Sequence, residues 1–292
     1  MDLNVMRYVL AVAQQGKFSL AAQVCHVGQP ALSQQIARLE AELGVTLFHR
    51  SSKGATLTEA GAEFVRRAQE IVQQADALES EMALYAGLHR GTLNIGIITS
   101  LECIDFGNML SAFCEKYPEI SINIMQGGTH RLESLLIERK IDLAFMNKPQ
   151  GQLDRSLCFC KLGQDAYHLA VASNHPLAKS KCISLIEAKD ERFIFHHPEQ
   201  AAAQICLEAC RRAGFEPNIV CRSGNPTTGL YMVQGGLGVA LLPSEEFRSH
   251  AVEGVAEITL ADEIIKEVGI AWRADTTSSL IKSAVEFVKS RN

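Results

Sequence analysis

The 292 residues are 47% hydrophobic and 21% charged, which excludes a disordered or fibrous chain and leaves room for two or three folded domains. A net charge of -5 gives no bulk basicity for nucleic acid, and nine cysteines without a regular spacing exclude a secreted disulfide scaffold. No apolar run is long enough to span a bilayer, and Asp2 and Arg7 interrupt any signal-peptide pattern, so a cytoplasmic protein with no membrane contact is expected.

Leu3, Met6, Leu10 and Ala13 recur at helical spacing and predict a first helix from Leu3 to Gln15, ended by Gly16. Ser19 is a candidate N-cap for a second helix over Leu20 to Cys25, and Gly28 permits a tight turn. Gln29-Pro30 opens a third helix, with Leu32, Ile36, Leu39 and Leu43 as its buried stripe and Ser33, Gln34, Gln35 and Arg38 facing outward. Two short helices joined this way, the second with a polar tip, suit insertion into a DNA groove. Up to Thr58 there are five basic residues against three acidic ones, so affinity would have to come from geometry, helix termini and dimerisation.

Val45 to Phe48 and Ala55 to Leu57 read as two strands about a turn at Ser51 to Gly54, a small wing. Thr58 caps a long helix to about Leu88. In it Phe64, Ala68, Ile71, Ala75, Leu78, Met82 and Tyr85 alternate in steps of four and three, a seam on which two helices pair. The same pattern is also compatible with one amphipathic helix packed on its own domain.

From Gly91 apolar strand-like runs alternate with helical patterns, which indicates α/β sheets with crossover helices. The strand runs are Thr92 to Ile98, Ile120 to Met125, Ile141 to Met146, Tyr167 to Ala172, Val239 to Leu242 and Val268 to Trp272. The helices are expected at 106–117, 129–139, 201–213, 227–234 and 277–290. Gly235-Gly236-Leu237-Gly238 reads as a helix-to-strand turn, since it lacks the GxGxxG arrangement after a strand.

The run AAQVCHVGQPALSQQIARLEAELGVTLFHR from Ala21 to Arg50, followed by LTEAG, resembles the LysR-type family of bacterial transcription regulators, and the resemblance spans the chain. It departs from the family at Gly28, where Ser is common, and at Lys53, where Arg is frequent. The resemblance implies a multidomain α and α/β protein. A winged helix-turn-helix would occupy residues 1–58 and a dimerising linker helix 59–90. A type 2 periplasmic-binding-protein-like effector domain would occupy 91–292, with subdomain I at about 91–162 and 268–292 and subdomain II at about 163–267.

On that frame Gln29, Pro30, Ala31, Ser33, Gln34 and Arg38 are the candidate DNA contacts of the third helix, and Arg50 and Lys53 those of the wing. Phe64, Ala68, Ile71, Ala75, Leu78 and Met82 are the dimerisation candidates. Ligands of α/β sheets bind beyond the carboxyl ends of strands, which selects Thr99, Ser100, Thr129, Asn147, Asn225 and Thr227 for the effector. Cys103 lies near the expected cleft mouth, and the resemblance adds His196. Thr129 and Thr227 also read as N-caps, and both roles stay open. Hydroxyls beside helix N-termini suit an organic acid or other anion, with no cofactor and no metal expected. The expected partners are double-stranded DNA, the effector, further copies of the chain as homodimer or homotetramer, and RNA polymerase. No nucleophile–base pairing points to an enzyme. The alternatives are a thiol-based redox-sensing regulator and, behind it, a receptor or enzyme built on the α/β part. Cys206 lies close to the second cysteine of the family's redox branch, but 196–204 contains no cysteine for the first.

Overall fold

A computed structural model describes residues 1–51, 54–85, 90–149, 151–198 and 200–291, without the side chains of 77, 79–81 and 83–85. Lys53 therefore lies outside the described residues, as do Leu88 and the side chain of Tyr85. The chain forms two compact units, Met1–Leu88 and His89–Asn292. Among the described residues no helix is long and apolar enough to cross a membrane.

The first unit comprises helices α1 (Leu3–Gln15), α2 (Phe18–Val24) and α3 (Gln29–Leu43), strands β1 (Phe48–Ser51) and β2 (Gly54–Leu57), and helix α4 (Glu59–Tyr85). Asp2 caps α1 through the Asn4 N–H, and Gly16 ends it in the left-handed conformation. α1 carries two apolar faces. Val5, Val9 and Val12 join Ala21, Leu32, Ile36 and Leu39 in the core, while Met6 packs with Ala68 and Val72 of α4.

Several expectations for this unit need correction. Ser19 is not the cap of α2, because the helix begins at Phe18, whose ring packs edge-on to Phe48 at 5.7 Å between centroids. The positive φ of the α2–α3 turn falls on His26, and Gly28 is the extended N-cap of α3. Leu43 is exposed, so the buried stripe of α3 ends at Leu39. The wing strand starts at Phe48 because the Leu47 and Phe48 N–H groups both donate to Glu40 Oε1, at 2.7 and 3.3 Å. Phe64 and Ala68 face the unit's own core, whereas Ile71, Leu78 and Met82 are 42%, 57% and 51% exposed. The apolar stripe of α4 thus serves its own domain at one end and stands open beyond.

The second unit comprises β3 (Arg90–Ile97), α5 (Phe106–Lys116), β4 (Glu119–Gln126), α6 (Thr129–Ile137), β5 (Leu143–Asn147), β6 (Leu157–Ala172), β7 (Cys182–Ile183), β8 (Arg192–His196), α7 (Ala201–Arg212), β9 (Asn218–Ser223), α8 (Pro226–Gln234), β10 (Val239–Pro243), α9 (Ser244–Ser249), β11 (Val255–Leu260), β12 (Ile265–Arg273) and α10 (Ser279–Lys289). The strands form one sheet in the order β4-β3-β5-β12-β6-β10-β8-β9, with β11 paired to β6 and β7. The first half of β6 pairs with β12, and its second half with β10 and β11. The unit is therefore two lobes hung on two long antiparallel strands. One lobe buries Leu93, Phe145 and Ile270 under α5 and α10, the other Tyr167, Phe193 and Leu241 under α7. The residue-pattern reading missed β7, β8, β9, β11 and α9, and it began β6 ten residues late. The Gly235–Gly238 run does form the turn between α8 and β10.

Gly61 shows how tightly the wing is held. The Thr58 hydroxyl accepts the Gly61 N–H at 2.9 Å and donates to the Thr46 carbonyl at 2.7 Å, which brings the first turn of α4 against Leu47. A Cβ on Gly61 would stand 2.0 Å from the Leu47 carbonyl oxygen. Gly61→Ala gains about 1 kcal/mol in helix propensity but forces backbone apart, so it should destabilise the first unit by about 1–3 kcal/mol net. Faster amide exchange at Leu47 and Phe48 checks this.

Candidate functional site

The exposed tip of α3 is set by local chemistry. Leu32, Ile36 and Leu39 pin one face into the core, so Gln29, Pro30, Ala31, Gln34 and Arg38 are left exposed on the other. Gly28 offers no side-chain cap, so the first-turn N–H groups stay open to an anion. Two expected contacts are engaged inside the unit. The Arg50 guanidinium donates to Ser33 Oγ at 3.0 Å, pairs with Glu40 at 3.2 Å, and lies 4.6 Å from the Phe18 ring centroid. Glu40 thereby ties the third helix to the wing through two backbone amides and one arginine. This brace joins α2, α3 and β1.

In the second unit a cavity of about 310 Å³ opens between the lobes. Five of the expected residues line it: Thr99, Ser100, Thr129, Asn147 and His196. Gln126, Gly127, Gly128, Tyr167, Gln200, Glu246 and Lys266 complete the polar and aromatic wall. Three expected residues are elsewhere. Cys103 packs in an apolar cluster with Ile98 and Leu132, its carbonyl pressed where a Cβ on Gly163 would stand 2.6 Å away. Asn225 caps α8 through the Thr228 N–H at 3.0 Å and borders a smaller adjoining recess. Thr227 lines neither, since Asn225 has taken the cap position. Thr129 is likewise not a cap, because Gly128 occupies that position and Thr129 is the first helical residue.

That placement matters. Thr129 is 2% exposed, and among the described residues neither its Oγ1 nor the buried Oδ1 of Asn147 has a hydrogen-bond partner. A buried polar atom left unsatisfied costs about 1–3 kcal/mol. Beside them stands Lys266, 3% exposed on β12, donating to the hydroxyl and carbonyl oxygens of Ser100. It forms no ion pair among the described residues. Asp165 is its cross-strand partner but accepts the Glu245 N–H at 3.0 Å. Burial raises the carboxyl pKa of Asp165 and of Glu246, against the pull of Lys266. Lys266 and Glu246 were missed from the sequence. The available signal was the register of β12, where Lys266 stands two residues from the buried Val268.

The nine cysteines are all free. Burial holds the thiol of Cys206 far above its ordinary pKa and lifts that of Cys210 to about 11, which keeps both as unreactive thiols. Burial likewise raises Cys103. Among the described residues no group of three His, Cys, Asp or Glu side chains is placed to hold a metal ion.

His196 donates from Nε2 to the Leu241 carbonyl at 2.8 Å. Burial, reinforced by Lys266, lowers its pKa from 6.5 to about 4 although that carbonyl favours the charged ring. The unfolded chain takes up this proton below pH 6.5 and the folded chain only near 4, so the stability due to His196 is lost as pH falls between the two. The raised carboxyls of Asp165 and Glu246 act in the opposite sense. A His196→Gln variant, which keeps an amide donor for Leu241, should lose less stability than the wild type between pH 6.5 and 4. Urea denaturation across that range measures it.

Residues 3–62 match the bacterial regulatory helix-turn-helix protein, lysR family, model, and residues 86–292 match the LysR substrate binding domain model. The chain is 32% identical to the transcriptional dual regulator GltC of Bacillus subtilis, covering 92% of this chain and 90% of that one. It is 31% identical to the HTH-type transcriptional regulator BudR of Raoultella terrigena, over 98% and 99%. A full-length OxyR variant from Pseudomonas aeruginosa superposes with a TM-score of 0.77 at 27% identity, covering 99% of this chain and 94% of that one. CbnR in complex with its target DNA shares the fold, with a TM-score of 0.69 at 21% identity over the full length of both chains. The chain belongs to the LysR family of bacterial transcription regulators.

Proposed function

We propose that this regulator reads its operator through the tip of α3 and answers to a small molecule held between the lobes of its second unit. Gln29, Pro30, Ala31 and Gln34 meet base edges, while Arg38, Lys53 and the open first turn of α3 meet phosphate. Ser33 and Arg50 hold the wing against the helix. Two chains pair along α4 through Ile71, Leu78 and Met82, with Ala75 between them, into a homodimer or a homotetramer. The protein works in the cytoplasm, by binding rather than turnover, and passes its signal to RNA polymerase. The observation that carries the effector site is the cavity in which Lys266, without an ion pair among the described residues, lies beside the unpartnered hydroxyl of Thr129. Asp165 and Glu246 feel the Lys266 charge without forming an ion pair with it among the described residues, and an organic acid or other anion would offset part of the cost of burying that cation. The likeness to OxyR carries no thiol switch to this chain, since Cys206 is fully buried with a raised pKa.

Two measurements test the DNA face. Gln29→Ala should lower specific binding more than non-specific binding, and an unchanged ratio in footprinting removes Gln29 from base recognition. Lys53→Ala should flatten the salt dependence of binding by about one unit of slope. Arg50→Ala should weaken binding while leaving that slope nearly unchanged, because its charge is spent on Glu40. A slope change equal to that of Lys53→Ala would make Arg50 a phosphate contact instead.

A further inference from the structure

The cavity between the lobes is lined by two chemically opposite sets of groups. One set donates. Lys266 carries a buried charge, Thr129 has an unassigned hydroxyl, and the first turn of the nine-residue α6 has no side-chain cap. These suit one carboxylate. The other set accepts. Among the described residues Asn147 Oδ1 has no donor. His196 is neutral at ordinary pH, and with its Nε2–H spent on Leu241 it retains Nδ1 as an acceptor only. Glu246 is 7% exposed, lines the cavity and forms no ion pair among the described residues. Ser100 lies within reach of Glu246, but its hydroxyl also donates to Glu102 at 2.9 Å and accepts from Lys266, so the two sets meet there. A ligand offering only oxygen acceptors would complete the first set and leave the second wanting donors.

Charge sharpens the choice. The Lys266 charge is already felt by Asp165 and Glu246, and Glu102 adds a third carboxylate nearby. A dicarboxylate would crowd a fourth and fifth negative group around one lysine. A single carboxylate carried with an ammonium group leaves the charge of the site unchanged and gives Glu246 its counter-ion. We propose that the effector is a zwitterionic amino acid, its carboxylate on Lys266, Thr129 and the α6 N-terminus, and its ammonium on Glu246 with Asn147 and His196. This rests on the cleft being the effector site.

The test is calorimetric titration and thermal shift of the full chain with each of the twenty protein L-amino acids. Every hit is run against its 2-hydroxy acid counterpart, such as lactate for alanine, and against succinate and malate. At least one amino acid should bind, and its hydroxy acid should bind at least tenfold more weakly. Glu246→Gln should cost the amino acid more than tenfold and leave the hydroxy acid unchanged or tighter. Equal or tighter binding of the hydroxy acid or of a dicarboxylate to the wild type, or binding by no amino acid, overturns the zwitterion. The cleft itself is judged separately by Lys266→Met. If acids of any kind bind the wild type and that variant equally, the cleft reading falls. If they bind the wild type alone, the cleft stands whichever class of acid wins. The hydroxy-acid comparison uses wild-type protein only, so a misfolded variant cannot decide it.

Discussion

The second unit depends on one pairing, the antiparallel run of β6 against β12. β6 is sixteen residues long and belongs to both lobes. Its partner β12 breaks register between Val268 and Gly269, beside Gly163 of β6. A bulge at that point bends the ribbon and lets each half serve a different core. The lobes therefore meet at a fixed crossing, and the residues at the crossing decide what the gap between them contains. Lys266 and Asp165 are opposite one another there. A pair of charges at the root of a cleft is expensive to bury. Their presence costs folding free energy that apolar residues would not.

The first unit solves a different problem with similar economy. Its reading surface carries little net charge, so its shape must be held by something other than electrostatic attraction to its target. Glu40 does this through one buried-side carboxylate that takes two amide protons with one oxygen and faces Arg50 with the other. The arginine in turn lies over Phe18, which packs on Phe48. Helix, wing and turn are thus locked by a handful of side chains, of which only Arg50 is exposed.

The helices were largely legible in the sequence because their signals are local. Gly16, Gly44 and Pro30 mark ends of α1 and α3, and the helical spacing of Leu3, Met6 and Leu10 marks the face of α1 that packs on α4, not the Val5, Val9 and Val12 face that enters the core. The strands β9 and β11 were not, since they alternate only weakly between buried and exposed residues. Strand ends placed Thr99, Ser100, Thr129 and Asn147 at the cavity, because position after a strand is a topological fact, while His196 came from the family resemblance alone. The same rule misplaced Asn225 and Thr227, where capping geometry had the stronger claim. Lys266 and Glu246 could be found only by knowing which register of β12 turns inward and that α9 follows β10 without a loop. That knowledge is tertiary.

The two-faced packing of α1 has a mechanical consequence. Because Val5, Val9 and Val12 grip the helix-turn-helix core while Met6 grips Ala68 and Val72, α1 acts as a spline between the reading head and the long helix. Neither can rotate without dragging the other. In a dimer paired along α4, the two heads would then behave like the jaws of a caliper whose gap is set at its handle. Such a gauge tolerates substitutions within a half-site far better than an inserted base pair between half-sites.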